Sequence, residues 1–176
     1  MNAIAPLPSI IPENAPFSVE QRAWLEGRGH RLVTHCDTEI IPHLWEEHGT
    51  EMWGRLRGQF AIALWDERKR QLQLGRDRFG IAPLFWSRQG DWLLFASEVK
   101  GLLASGMVPA RPDRRGIDHV FTFSAVPGPR TCFEGVQLLT AGHYLSISPA
   151  SGNGAKAVVQ DRSATASCSL RANRTS

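Results

Sequence analysis

The sequence predicts an α+β fold, in which helices pack on antiparallel β-sheets. Two β-hairpins are predicted within residues 59–74 and 84–95, and helices are predicted on both sides of them. The chain has 176 residues, of which 42% are hydrophobic and 21% are charged. This size and composition fit one globular domain, with a core that six tryptophans and eight phenylalanines help to fill.

Three stretches of different composition divide the chain. Residues 1–17 contain prolines spaced throughout, which disfavour helix, so we expect an extended lead-in. Residues 18–147 carry regular hydrophobic patterns and are predicted to form the folded domain. Residues 148–176 are rich in small and polar residues and contain no aromatic residue. Such a tail buries too little apolar surface to offset its chain entropy, so we predict that it is disordered.

The first predicted elements are two helices with a short strand between them. Residues 18–26 begin with a serine that can cap a helix, and two glycines close behind them end it. Residues 31–35 are predicted to form a short strand. Residues 38–48 place their large apolar side chains on one helical stripe, and Gly49 ends this helix.

The two predicted hairpins follow. Residues 59–65 are apolar on both strand faces, which predicts a strand buried between two layers. A polar turn connects them to residues 71–74, which alternate as a returning strand. The second hairpin pairs residues 84–86 with residues 92–95 around a turn that contains Gly90.

The remaining predicted elements are two helices and a last strand. Residues 98–104 are predicted to form a helix, with Ser97 as its cap, and residues 114–121 to form a second helix. Residues 141–147 are predicted to form the last strand. Helices on either side of two hairpins give the layered α+β arrangement.

Charge and apolar patterning exclude two classes of partner. The formal net charge is only +3, and the tightest basic cluster, Arg111, Arg114 and Arg115, is interpreted as a solvated surface. We therefore expect no nucleic-acid partner. No apolar run approaches the roughly 20 residues that span a bilayer, so we expect no membrane association. Without a recognisable signal peptide, the chain is predicted to be cytoplasmic.

The cysteines and histidines are not predicted to form a metal or disulfide site. Three cysteines without paired spacing fit a reduced compartment, and Cys36 is interpreted as a small buried thiol because it lacks an obvious activating base. The four histidines between residues 30 and 48 are spaced by five and eight residues. These spacings do not align ligands on one helix face, so no metal site is expected.

Six segments in order resemble the glutaminase domain of glutamine-dependent asparagine synthetases, a class II amidotransferase of the N-terminal-nucleophile type. Together they extend over about 120 residues, which makes the resemblance specific. They are Gly-His-Arg-Leu-Val-Thr-His-Cys-Asp-Thr-Glu (29–39), Leu-Trp-Glu-Glu-His-Gly (44–49), Leu-Arg-Gly-Gln-Phe-Ala-Ile-Ala-Leu-Trp-Asp (56–66), Gly-Arg-Asp-Arg-Phe-Gly-Ile-Ala-Pro-Leu (75–84), Phe-Ala-Ser-Glu-Val-Lys-Gly-Leu (95–102) and Gly-Val-Gln-Leu-Leu-Thr-Ala-Gly-His-Tyr-Leu (135–145).

The departures from this family concern its chemistry. The family's nucleophile is a cysteine exposed by methionine removal, whereas position 2 here is Asn2. The Arg-Leu-Ser-Ile segment that holds the glutamine carboxylate and the Asn-Gly-Glu segment that supplies the oxyanion hole have no counterpart. The same is true of the synthetase domain. Ala82 replaces the family's usual lysine, a change expected to affect only a surface contact.

The resemblance therefore implies the C-terminal half of the glutaminase domain. The expected fold is an incomplete αββα four-layer sandwich of the N-terminal-nucleophile hydrolase type. No catalytic residue carries over, so the chain is expected to be inactive alone. No cofactor is expected in this chain, because ATP and Mg²⁺ belong to the family's synthetase domain. A truncated or frame-shifted gene is the expected origin.

One substrate-binding residue carries over from the family. Asp37 corresponds to the aspartate that holds the α-ammonium group of glutamine, and its structural alternative is an N-cap for a helix that begins at Thr38. Arg76, Asp77 and Gly80 correspond to a loop that shapes the glutamine pocket. Their structural alternative is a tight turn in which Asp77 bonds nearby backbone and Gly80 takes a positive φ.

Three functional hypotheses remain open from the sequence. The first is a member or fragment of the glutamine-hydrolysing asparagine synthase family, whose partner is glutamine. The second is a fragment of an amidotransferase-like protein with another acceptor. The third is a non-catalytic module that binds a synthetase domain or self-associates through exposed apolar surface.

Overall fold

A computed structural model describes residues 19–34 and 36–148, together with the backbone of a strand at Val158–Ser163. The described chain divides into two compact units, within residues 1–58 and 59–176. The expected extended lead-in, the serine at the start of the first predicted helix, and most of the predicted disordered tail lie outside the described residues.

The first unit consists of short helices. Helix α1 covers Val19–Gly27, a 3₁₀ turn covers Asp37–Glu39, and α2 covers Ile40–His48. A second 3₁₀ turn at Gly49–Glu51 leads into the short helix α3 at Met52–Arg55. The apolar stripe predicted for residues 38–48 is confirmed, because Ile40, Ile41, Leu44 and Trp45 are all buried. Other buried members of this unit are Leu25, Met52, Trp53 and Leu56.

The second unit contains two antiparallel sheets. Strands β1 (Ala61–Asp66), β2 (Gln71–Arg76), β6 (His143–Ser148) and β7 (Val158–Ser163) form a four-stranded sheet in that order. Strands β4 (Trp92–Ala96), β3 (Phe85–Gln89) and β5 (Val136–Leu138) form a three-stranded sheet in that order. Both predicted hairpins are therefore confirmed, as β1–β2 and β3–β4.

The core of this unit lies between the two sheets. Leu74 of β2 and Leu145 and Ile147 of β6 form one buried cluster with Leu84 and Leu139. Helix α4 (Val99–Ala104) packs on the opposite face of the three-stranded sheet, where Leu102, Val108 and Val136 form a second cluster. Helix α5 covers Arg114–Phe123. The predicted α+β class is confirmed as two stacked sheets with helical cover.

Three local predictions are corrected by the structure. Residues 31–34 do not form a strand, because this segment connects two helices without pairing with a strand. Strand β1 is buried on one face only, since Ile62 and Leu64 are buried whereas Ala61, Ala63 and Trp65 are exposed. Strand β1 lies at the edge of its sheet. Its exposed residues do not belong to the core cluster between the sheets.

The third correction concerns the tail. Residues 158–163 form β7, which pairs antiparallel with β6 from His143↔Ser163 to Ser148↔Val158. The few apolar side chains of the tail led to the prediction of disorder. Backbone groups can instead pair with the open edge of β6, and this pairing does not require apolar side chains. None of the helices in the described ranges is long and apolar enough to cross a membrane.

Candidate functional site

The loop that carries Asp37 is organised by one carboxylate in the first unit. Glu39 Oε1 accepts hydrogen bonds from the backbone N–H of Val33 at 2.6 Å and of Thr34 at 3.2 Å. Glu39 Oε2 accepts from the Thr34 N–H at 3.0 Å and from its hydroxyl at 2.9 Å. The hydrogen bond from Val33 is the main reason that the pKa of Glu39 is lowered. Glu39 is thus held as a carboxylate that ties the loop to the start of α2.

An arginine of α1 holds the same loop from its other side. Arg22 donates hydrogen bonds to the carbonyl oxygen of Thr34 at 2.7 Å and to that of Cys36 at 3.4 Å. Its guanidinium also lies 3.6 Å from the Glu39 carboxylate. Arg22 and Glu39 together hold the backbone that precedes Asp37. Neither residue was predicted to have a role, although Glu39 ends the first family-like segment.

Asp37 presents its carboxylate to solvent. The residue is exposed, and its side chain makes no hydrogen bond or ion pair with the described part of the chain, in contrast to Glu39 two residues later. The prediction that Asp37 caps a helix is wrong. The 3₁₀ turn begins at Asp37 itself, and the residue in the cap position is Cys36, which makes no side-chain cap. The carboxylate of Asp37 is therefore available to a ligand.

Cys36 is exposed, which corrects the prediction of a buried thiol. Its Sγ lies 2.9 Å from the hydroxyl oxygen of Thr38, and this hydrogen bond is the main reason that the pKa of the thiol is lowered. The partner is a hydroxyl rather than an imidazole or carboxylate, and a hydroxyl is a poor general base at neutral pH. The contact therefore does not make Cys36 an activated nucleophile.

The second predicted site segment is a turn after β2, and its anchor is Asp77, which is fully buried. Its Oδ1 accepts from the backbone N–H of Phe79 at 3.0 Å and of Ile81 at 3.2 Å. Its Oδ2 accepts from the N–H of Ala82 at 3.2 Å and of Phe60 at 3.4 Å. The prediction that Asp77 bonds nearby backbone is confirmed.

Arg76 completes the turn from the opposite direction. It is 9% exposed and donates to three carbonyl oxygens, of Gly80 at 2.5 Å, Leu139 at 2.6 Å and Ala82 at 2.8 Å. Burial lowers the pKa of this guanidinium, and the charge of the neighbouring Asp77 opposes that shift. Each of its three nitrogen atoms donates to a protein carbonyl, so Arg76 acts here as a structural cation.

Gly80 occupies a position that excludes a side chain. Its φ is +66°, and an added Cβ would lie 3.0 Å from both the Arg76 guanidinium carbon and the Ala141 Cβ. The predicted positive φ is confirmed. Arg76, Asp77 and Gly80 thus form one rigid turn in the second unit, whereas Asp37 belongs to the first unit. Their role in shaping a glutamine pocket stays a prediction.

A cavity of about 430 Å³ in the second unit does not include any predicted site residue. Its two charged lining groups, Asp113 and Arg130, pair with each other at 2.6 Å. Asp113 also caps α5 by accepting from the N–H of Arg115 and Gly116. These charges are used to hold the structure together, so the candidate site remains the Asp37 loop.

Comparison with known proteins supports the resemblance that the six segments indicated. A family profile described as the glutamine amidotransferase domain matches residues 18–156, most of the chain. The chain belongs to the glutamine amidotransferase family. Both the Asp37 loop and the Asp77 turn lie inside the matched region.

Individual relatives cover the same region. Glutamine-hydrolyzing asparagine synthetase 3 of Bacillus subtilis (strain 168) is 36% identical over 128 residues, which are 72% of this chain and 21% of the synthetase. Amidase chry2 of Gibberella zeae is 37% identical over 119 residues, which are 68% of this chain and 17% of the amidase. The chain thus spans about a fifth of the length of these relatives.

Among solved structures, the glutamine phosphoribosylpyrophosphate amidotransferase of B. subtilis aligns with a TM-score of 0.46 at 20% identity. The alignment covers 80% of this chain and 26% of that enzyme.

Proposed function

We propose that this chain carries the part of a glutamine-binding site that holds the α-ammonium group, with Asp37 as the ligand. The observation that carries the proposal is the exposed Asp37 carboxylate on a loop whose neighbouring polar groups already have partners. A carboxylate accepts charge-assisted hydrogen bonds from an ammonium group. The loop is pre-organised by Glu39 and Arg22, which reduces the entropy lost when a ligand binds.

The parent activity that we infer is glutamine hydrolysis to glutamate and ammonia for an amide-forming ligase. Membership in the amidotransferase family and the identity to several asparagine synthetases support this inference. We place the complete domain in the αββα class of N-terminal-nucleophile hydrolases, with the two stacked sheets as the inner layers. We also propose that the protein works in the cytoplasm, because its cysteines lack paired spacing.

This chain by itself is proposed to be inactive. The exposed Cys36 thiol is hydrogen-bonded to the Thr38 hydroxyl rather than to a base, so it is not an activated nucleophile. The free carboxylate of the candidate site, Asp37, is a single ligand, whereas Mg²⁺ with ATP requires several oxygen ligands. We therefore propose that ATP and Mg²⁺ belong to the synthetase part of the family rather than to the Asp37 loop.

The acceptor of the ammonia has two candidates. Several relatives are asparagine synthetases, whose acceptor would be aspartate, while amidases of comparable identity cover the same region. The proposed Asp37 site would contact glutamine rather than the acceptor, so it does not distinguish the two candidates. Asparagine synthesis is the first proposal, and amidation of another carboxylate is the second.

The test is a titration of the isotope-labelled chain followed by amide NMR signals. We expect L-glutamine to shift the signals of residues 33–39 in a saturable manner. Glutaramate, which has the same side-chain amide and carboxylate but no α-ammonium group, should bind about tenfold more weakly, as should glutamine to Asp37→Asn. No glutamate should form during the titration.

Asp91→Asn is the matched control, because Asp91 is an exposed aspartate in the turn between β3 and β4. This variant should bind glutamine as the wild type does. Equal binding of glutamine by Asp37→Asn, equal binding of glutaramate by the wild type, or the absence of saturable glutamine binding would each refute the proposal.

A further inference from the structure

Two histidines and a glutamate of the first unit meet outside the Asp37 loop. The Nδ1 atoms of His30 and His43 lie 3.0 Å apart. The Glu46 Oε2 atom lies 3.9 Å from His30 Nδ1 and 4.0 Å from His43 Nδ1. Each of these three side chains offers one atom that could bind a metal, and the three atoms all lie within 4.8 Å of one another. Within the described part of the chain, histidine, cysteine or carboxylate side chains come together in this way in this group of three.

The backbone of two elements brings these side chains together. His30 follows the end of α1, where its N–H donates to the Leu25 carbonyl at 3.1 Å and Gly29 takes a φ of +92°. This glycine conformation is typical of helix ends and turns the chain back over the last helical turn. His43 and Glu46 are three residues apart on α2, so they are neighbours on one helix face.

A second carboxylate sets the tautomer of His30. Its Nε2 lies 3.0 Å from Glu47 Oε1, and a carboxylate can only accept, so Nε2 carries the hydrogen. In the neutral ring the lone pair is then on Nδ1, the atom that faces His43 and Glu46. Metal-binding histidines commonly donate one ring N–H to a carboxylate, which leaves the other ring nitrogen free to bind the metal.

We propose that His30, His43 and Glu46 form a binding site for a divalent transition-metal ion of the zinc class. Zinc binds histidine nitrogen and carboxylate oxygen at about 2.0–2.2 Å, so tetrahedral ligand atoms lie about 3.4 Å apart. The three observed separations of 3.0, 3.9 and 4.0 Å lie on both sides of this value. Binding requires the two rings to turn, so that both Nδ1 lone pairs point at one ion instead of along the hydrogen bond that now joins them.

The donor set selects the class of ion. Two imidazoles favour zinc, cobalt, nickel or copper over magnesium and calcium, which prefer oxygen ligands. His30 and His43 have side chains that are 14% and 25% exposed, whereas Glu46 is 58% exposed. The site therefore opens on the Glu46 side, where water supplies the fourth ligand. One opposing charge is near, because Arg28 pairs with Glu47 at 3.1 Å.

The ion would connect the end of α1 to the face of α2. Without it, the contact rests on a hydrogen bond in which His43 donates from Nδ1 to His30. With the ion bound, His43 carries its hydrogen on Nε2 instead, so a neutral ring loses no proton overall. Because residues 31–39 follow His30 directly, this metal would stabilise the helices on both sides of the Asp37 loop.

The experiment measures binding of Zn²⁺ to the metal-free full chain by calorimetry, with Mg²⁺ as a comparison ion. We expect one Zn²⁺ per chain and no detectable Mg²⁺ binding. The midpoint of thermal unfolding should rise with the logarithm of free Zn²⁺, since the ion binds the folded state. Substituted Co²⁺ should give a spectrum without thiolate-to-cobalt charge transfer, which separates this site from the cysteines.

The variants assign the site to residues. Glu46→Gln changes an exposed side chain and should weaken Zn²⁺ binding at least about tenfold while the metal-free fold is retained. Glu47→Gln should weaken binding by about 10–100-fold, because Glu47 orients His30. His43→Gln should abolish the site. His143→Gln is the matched control in the second unit and should bind Zn²⁺ as the wild type does.

Three outcomes would overturn the proposal. The first is the absence of stoichiometric Zn²⁺ binding by the folded wild-type chain. The second is unchanged affinity in both Glu46→Gln and His43→Gln. The third is a thiolate band in the Co²⁺ spectrum, which would place the ion on a cysteine. Glutamine binding at Asp37 is measured separately, so either proposal can fail without the other.

Discussion

Asp37 and Asp77 are two aspartates of family-like segments with opposite environments. The Asp77 carboxylate is fully buried and accepts hydrogen bonds from four backbone N–H groups. The carboxylate of Asp37 is exposed and makes no such bond in the described part of the chain. Saturation of its acceptors makes Asp77 a structural residue, whereas free acceptors make Asp37 a candidate ligand.

The first prediction concerns this buried carboxylate. Asp77→Asn keeps the size of the side chain but replaces one accepting oxygen by an NH₂ group that faces N–H donors. We expect the free energy of unfolding to fall by about 1.5–3 kcal/mol, the range for a hydrogen bond to a charged group. Urea unfolding followed by tryptophan fluorescence measures the change.

Asp91→Asn serves as the matched control for Asp77→Asn. Asp91 is exposed, and surface substitutions of this kind change stability by about 0.5 kcal/mol or less. If the two variants unfold at the same urea concentration, the carboxylate of Asp77 does not hold the turn.

Helix α5 shows how an element is positioned by one small residue. Asp113 caps the helix at its start, and Ser124 ends it in the left-handed conformation with a φ of +55°. Gly116, in the first turn, is buried, and a Cβ added there would lie 2.1 Å from the backbone carbonyl oxygen of Thr131. The absence of a side chain at this position lets α5 approach the segment that contains Thr131.

The second prediction follows from this approach. In an isolated helix, alanine is about 1 kcal/mol more favourable than glycine. At Gly116 alanine is instead expected to be less favourable than glycine, because the helix must move away from the Thr131 carbonyl to admit a methyl group. We expect Gly116→Ala to lower the free energy of unfolding by about 1–3 kcal/mol, measured by urea unfolding.

Gly101→Ala is the comparison within α4. Its added Cβ would lie 3.2 Å from the Ala96 Cβ, a contact that a shift of a few tenths of an ångström relieves. The expected change is within about 1 kcal/mol. A Gly116→Ala protein as stable as the wild type would show that α5 is not packed as closely as described.

At the scale of the whole molecule, large apolar side chains are exposed in several places. Phe79 and Phe121 are each 86% exposed, Trp92 is 66% exposed, and Phe123 is 61% exposed. Strands β1, β4 and β5 each have an unpaired edge among the described residues. Exposed aromatic surface and open strand edges both promote association between chains.

The third prediction is therefore that the chain self-associates. Phe121 and Phe123 lie at the end of α5, and large aromatic side chains bury about 150–250 Å² each in an interface. Replacing both by serine should raise the protein concentration at which half of the chains are associated by at least about tenfold. Sedimentation at several protein concentrations measures this shift.

Arg114→Ser is the control for the double serine variant. Arg114 is exposed at the opposite end of the same helix, so its replacement should leave the association nearly unchanged. A wild-type chain that stays monomeric at all concentrations, with a single sharp thermal transition, would contradict the prediction.

Most of the secondary-structure elements and the family could be predicted from the sequence alone. The helix at residues 38–48 and both hairpins follow from short-range periodicity, and the Asp77 turn follows from residue types that favour turns. The family follows from six ordered segments inside the matched region. These features depend on neighbours in the chain, so a linear pattern contains the information they require.

Other features depended on the tertiary structure. His30 and His43 meet because Gly29 turns the chain back toward α2, although their spacing fits no single helix face. Strand β1 is exposed on one face because the core between the sheets does not extend to it, and residues 158–163 form a strand because β6 offers them an open edge. Pairing and burial depend on which distant segments become neighbours, and local periodicity does not contain that information.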